Sequence, residues 1–212
     1  MRRSRGRIAA ALQATAFGEL PAEVVEIIGR HDIGWAEADL AGLESADRVP
    51  PISFLAYPVP GAVDAWRRSI RAAERRSPLA GILTSRHFCL LASPDDPLHV
   101  GFKDEESKRR ELNEGACSVP GPDLDRFERA LGFCDLLSLC LCSGSREAVR
   151  LSLSHPADPS SADAVQVAVS VSGETVRCDP AVFEARTEVH VNSWKRGGDG
   201  RLVSERIGWT FA

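Results

Sequence analysis

The chain has 212 residues, 43% of them hydrophobic and 26% charged, which is the composition of a globular protein with a sizeable core and not of a disordered or fibrous one. A formal net charge of -4 and a pI near 5.8 argue against the clustered basic face of a general nucleic-acid binder, so no nucleic-acid partner is expected. The six cysteines form no CxxC pair, and several lie in apolar runs where a reduced thiol packs as a small hydrophobe, as in a reducing compartment.

The first stretch, MRRSRGRIAAALQATAFG, has the outline of an export signal. Gln13 interrupts its apolar run after about six residues, short of the roughly 7 to 15 that a signal core needs. Nothing approaches the roughly 18 apolar residues of a membrane-spanning helix. A cytoplasmic protein with no membrane partner is therefore expected.

Apolar positions recur at helical spacing over 7–144 and alternate every second residue from 148 onward. This predicts an α+β fold: a helical region over 1–145, then a small antiparallel β-sheet over 146–212, packed on the helices as one compact unit. Pro21 suits the first turn of a helix whose stripe runs Val24, Ile28, His31 and Trp35, with Val25 and Asp32 beside it. The next helix, from Gly61 to Arg76, places Val63, Trp66, Ile70 and Ala73 on one face and a solvated run of arginines, Arg67, Arg68, Arg71 and Arg75, on the other.

In SPLAGILTSRHFCLL, Ser77 is a candidate N-cap and Pro78 a first helical residue, ahead of a stripe of Leu79, Leu83, His87 and Leu90. KDEESKRREL reads as a charged helix and nothing more. A last helix, DLDRFERALGFCDLLSLCLC, aligns Leu124, Phe127, Leu131, Cys134, Ser138 and Leu141. A linker signal, SHPADPSSADA, covers 154–164. Strands follow around Val149–Leu153, Val165–Val171, Val176–Cys178 and Val189–Val191, then a GGDG turn and a final strand over Ile207–Phe211.

Three helices thus each direct an imidazole or carboxylate inward: His31 and Asp32, His87, and Asp135, four residues after Leu131. Buried carboxylates need hydrogen bonds, ion pairs or a metal. Imidazole nitrogen and carboxylate oxygen together suit a first-row divalent ion, here Fe, Mn or Zn, which acidifies water and stabilises charge on a phosphoryl or acyl oxygen. Each residue alone fits a hydrogen-bonded core position equally, and Asp135 also fits an ion pair with Arg86 or Arg30. The coincidence of four points to a metal. Ser85 and His87, two apart on a helix, do not face each other as a nucleophile pair. His99, His155 and His190 stand in no motif.

The order HD, then a later His, then an Asp on a further helix resembles the HD superfamily of helical metal-dependent phosphohydrolases, and HDIG is similar to the motif of its cyclic-dinucleotide branch. More closely, RHDIGW, SPLAGILTSRHF, FKDEESKRREL and FCDLLSLCLC together resemble an uncharacterised bacterial family, domain-of-unknown-function family 3891, over nearly the whole chain.

This resemblance implies a pocket of His31, Asp32, His87 and Asp135 bordered by Trp35, Arg86, Phe88 and Ser138, in an HD-like helical region. The expectation is a metal-dependent hydrolase of a phosphate ester, with a small phosphorylated molecule as substrate. Asp32 or a metal-bound hydroxide would activate water, and Arg30 or Arg86 would hold the phosphate. One departure stands out: both families usually carry a further His on an earlier helix, where this chain reads SRGRIAAAL with Arg5 at about that place. The alternative is accordingly a non-catalytic small-ligand-binding protein with a degenerate pocket.

Overall fold

A computed structural model of the protein describes residues 2–44, 56–143, 148–153, 166–196 and 202–212. The fold is α+β, with helices first and strands last. In chain order the elements are α1 (Arg2–Ala11), α2 (Ala14–Phe17), α3 (Ala22–Arg30), a 3-10 turn (Ile33–Trp35), α4 (Ala36–Glu44), α5 (Val59–Glu74), α6 (Pro78–Leu91), α7 (Pro97–Asn113) and α8 (Gly121–Ser143). Five strands follow: β1 (Val149–Ser152), β2 (Gln166–Ser172), β3 (Thr175–Asp179), β4 (Thr187–Arg196) and β5 (Leu202–Phe211). The linker at 154–164 and the GGDG turn at 197–200 lie outside the described residues.

The chain forms two compact units, one of residues 1–29 with 121–212 and one of residues 30–120. The change of period near residue 145 therefore marks a change of secondary structure, and the first unit draws on both sides of it.

In the first unit, α1 packs against α8 and β4, and α8 against β1. Ile8, Val24, Ile28, Leu131 and Leu137 are fully buried, and Phe17 meets Phe133 with ring centroids 5.6 Å apart. Gly6 and Gly29 allow α1 and α3 to approach closely: a Cβ on either would lie 3.2 Å from the other's Cα.

The sheet has the order β1-β2-β3-β5-β4. Its pairings are antiparallel except β3 with β5, where Thr175 opposes Thr210 and Val176 opposes Phe211 in parallel. The parallel pair arises because β4 takes the outer edge and β5 returns as its antiparallel partner into the place beside β3. Val167, Val169, Val176 and Val189 on the inner face are buried. Along β5 only the C-terminal end is covered: Trp209 and Phe211 are buried, whereas Val203 and Ile207 are exposed.

In the second unit α5 packs on α6, α7 and the 3-10 turn, and α6 on α7. Its core joins Ala62, Val63, Trp66, Ile70, Phe88 and Phe102, with Trp35 and Tyr57 packed against them. Phe102 is fully buried, and burial of a side chain of this size stabilises by roughly 1.5–3 kcal/mol. Ser77 caps α6 as its sequence predicts, its hydroxyl accepting from the Ala80 N–H at 3.1 Å, with Pro78 in the first turn.

Candidate functional site

The second unit brings His31 and His87 together. The two rings meet edge to face with centroids 4.8 Å apart and an interplanar angle of 78°. Both are buried, and one ring nitrogen of each lies within 4.8 Å of the other. Phe88 flanks both imidazoles, at 6.2 Å from His31 and 5.5 Å from His87, and Trp66 stacks on Phe88 at 5.6 Å. Phe88 thus lies between the imidazole pair and Trp66.

His87 is placed as its stripe predicts, midway along α6 with Leu83 and Leu79 buried before it. His31 is placed differently. The spacing predicts one helix carrying Val24, Ile28, His31 and Trp35, but α3 ends at Arg30, and His31 and Asp32 form a turn leading into Ile33–Trp35. Residue 34 is pressed against α5. A Cβ at Gly34 would overlap the Ala65 carbonyl oxygen and lie 2.6 Å from the Ser69 backbone nitrogen. Asp32 is half-buried within the turn, and its carbonyl oxygen accepts from the Trp35 N–H at 3.1 Å.

Of the two candidate phosphate-holding cations, Arg86 is half-buried on α6 beside His87, and Arg30 is exposed at the end of α3. The arginine face of α5 is only partly solvated. Arg67 reaches Glu105 at 2.7 Å, and the Arg68 Nε donates to the Gly34 carbonyl oxygen at 3.2 Å.

Asp135 belongs to the first unit, buried on α8. The Arg5 Nε lies 2.8 Å from the Asp135 Oδ1 and donates to the Ser138 Oγ at 3.0 Å, while that hydroxyl donates to the Asp135 carbonyl oxygen at 2.9 Å. The sequence suggests Arg86 or Arg30 as partners for Asp135. In the structure Arg5 stands beside this carboxylate as a counter-ion.

A further buried group escaped the sequence reading. KDEESKRREL is not simply a solvated charged helix, because Glu106 is fully buried, four residues after the equally buried Phe102. That i, i+4 spacing was the available signal. Burial raises the Glu106 carboxyl above its ordinary value, against the lowering influence of the Ser85 hydroxyl and of Arg109, whose Nε lies 3.3 Å away. The Ser85 Oγ accepts from Arg110 at 2.8 Å. His99 stacks on Trp66 at 5.1 Å and accepts the Ser93 N–H at Nδ1, and His190 pairs with Glu188 at 3.3 Å. His155 lies outside the described residues.

Residues 4–195 match the family described as "Protein of unknown function (DUF3891)". Comparison with curated proteins and with solved structures finds no match. Among the described residues no helix is long and apolar enough to cross a membrane.

Proposed function

We propose that this chain, which belongs to the DUF3891 family, is a metal-dependent hydrolase of a phosphate ester whose pocket chemistry is that of the HD phosphohydrolases. The observation that carries the reading is the buried edge-to-face pair of His31 and His87. Two imidazoles on a tetrahedral ion, with metal–nitrogen bonds of about 2.1 Å, present their nitrogens about 3.4 Å apart. One ring nitrogen of each imidazole lies within 4.8 Å of the other, which supports a shared ion.

In this reading His31, Asp32, His87 and Asp135 are the ligands of Fe, Mn or Zn. A bound divalent ion supplies Lewis acidity toward a phosphoryl oxygen and lowers the pKa of water. Asp32 accepts the proton of the attacking water, and Arg30 or Arg86 neutralises the substrate phosphate. Phe88 and Trp66 keep bulk water from the imidazoles. The substrate is a small phosphorylated molecule, and the protein works in the cytoplasm.

Elemental analysis of protein purified without chelator tests this directly, comparing the native chain with Asp32→Ala and His87→Ala at equal folded fraction. About one or two equivalents of metal, lost in the variants, together with hydrolysis of a phosphoester panel that Asp32→Ala abolishes, is the expected result. Hydrolysis that persists unchanged in Asp32→Ala would sink the proposal.

The Arg5–Asp135 pair favours a second reading, a non-catalytic pocket that binds a small ligand. A guanidinium that neutralises Asp135 leaves that carboxylate less disposed to a metal ion. Arg5→His separates the two readings. A gain of metal in this variant over a metal-free native chain identifies the native pocket as degenerate.

A further inference from the structure

We infer that Ser69 is a positioning residue for the His31–Asp32 turn, holding it from α5 through the backbone of Gly34. Its functional meaning rests on the metal reading above, whereas the hold itself does not. α3 ends at Arg30, and His31 and Asp32 form the turn that follows it. The next turn is closed by 3-10 bonds, from the Trp35 N–H to the Asp32 carbonyl oxygen and from the Ala36 N–H to the Ile33 carbonyl oxygen.

The turn is tied to α5 at Gly34. Its N–H donates to the Ser69 Oγ at 2.9 Å, and its carbonyl oxygen accepts from the Arg68 Nε at 3.2 Å. Two consecutive residues of one helix therefore grip both polar groups of one residue. Ser69 is fully buried, so water has no easy route to replace its hydroxyl. Gly34 is needed for the approach, since any Cβ would meet the backbone of Ala65 and Ser69. Seated this way, α5 fixes where His31 stands relative to His87 on α6. A site that must bring two nitrogens to within a few tenths of an ångström of the bonding distance is sensitive to such support.

The full chain is titrated with Co2+ and followed by its visible absorption, for the native protein, Ser69→Ala and the control Ile70→Val, a neighbouring and equally buried position on α5. Ser69→Ala is expected to weaken Co2+ binding about 10- to 100-fold, as loss of outer-shell support typically does, and Ile70→Val to leave it unchanged. In parallel, the His imidazole resonances of the metal-free proteins are recorded. Ser69→Ala should move those of His31 and leave those of His190 in place.

Native-like Co2+ affinity with unmoved His31 resonances in Ser69→Ala overturns the inference. Absence of Co2+ binding in the native chain rejects the metal reading instead, and the His31 resonances then decide the positioning role alone. Should Ser69→Ala not fold, Ser69→Cys keeps the shape with a weaker acceptor, and the same shifts are expected in smaller measure.

Discussion

The Arg5 guanidinium and the Asp135 carboxylate, 130 residues apart in the chain, meet at 2.8 Å with both side chains buried. Such a pair gains little net stability over an apolar replacement, but breaking it is costly because one charge remains buried and uncompensated. Arg5→Ala is accordingly expected to destabilise the fold by about 3–5 kcal/mol. Adding Asp135→Asn to that variant should recover part of the loss, with a coupling of at least about 1 kcal/mol. Urea denaturation of the two single variants and the double variant measures both. Additive losses would mean that the two groups do not act as a pair.

Gly34 and Gly132 make opposite predictions for the same substitution. Gly34→Ala forces a methyl into the backbone of α5, and overpacking of this kind costs about 1–3 kcal/mol, to which loss of the Ser69 hydrogen bond adds about 1 kcal/mol. Gly132, within α8, has nothing within 4 Å of an added Cβ. Gly132→Ala should therefore stabilise by about 0.5–1 kcal/mol through helix propensity. Thermal melts of the two variants should fall on opposite sides of the native protein.

Glu106 predicts a pH dependence. Its folded pKa lies above its ordinary value of 4.5, chiefly through burial. A carboxyl shifted this way favours the folded state while protonated, and the advantage is lost as pH rises through the folded value. Glu106→Gln removes that loss while keeping the shape, and Arg109 retains Glu74 at 3.2 Å and Glu105 at 3.4 Å as partners. The stability of Glu106→Gln relative to the native chain should rise from pH 4.5 upward and level off once Glu106 is ionised. Denaturant titrations between about pH 4 and 8 read the difference. A gap that is flat or falls over this range would assign Glu106 a net favourable charge.

Much of this architecture is legible in the sequence, because amphipathic periods report local geometry. Pro21 and the Ser77–Pro78 pair mark helix starts within a residue or two, and the alternating valines of β2 identify its buried face. The stripe through His31 extends too far because periodicity cannot register that Gly34 lies against a helix some 30 residues onward. The parallel neighbour of β3 is equally hidden, since alternation specifies a face and not a place in the sheet. Arg5 carries no periodic signal toward Asp135, so that contact is not legible from spacing. His31, His87 and Asp135 are legible as buried positions, whereas their supports depend on tertiary neighbours.

The cysteines test burial independently of any activity. All six are free thiols. Cys134 is fully buried on α8, and burial beside Asp135 pushes its thiol far up. Cys178 on β3 is pushed up to about 11, mainly by burial. The thiolate is the reacting species, so at pH 8 a thiol with a pKa near 11 reacts about a hundredfold more slowly than one at 9.0. With a disulfide reagent at that pH, native Cys134 and Cys178 should resist labelling for as long as the fold persists. In denaturant all six should react quickly. Rapid labelling of Cys134 in the native protein would require that α8 open locally at little cost. The Arg5–Asp135 pair one residue further along that helix would then not be the dry contact from which its energetic weight follows.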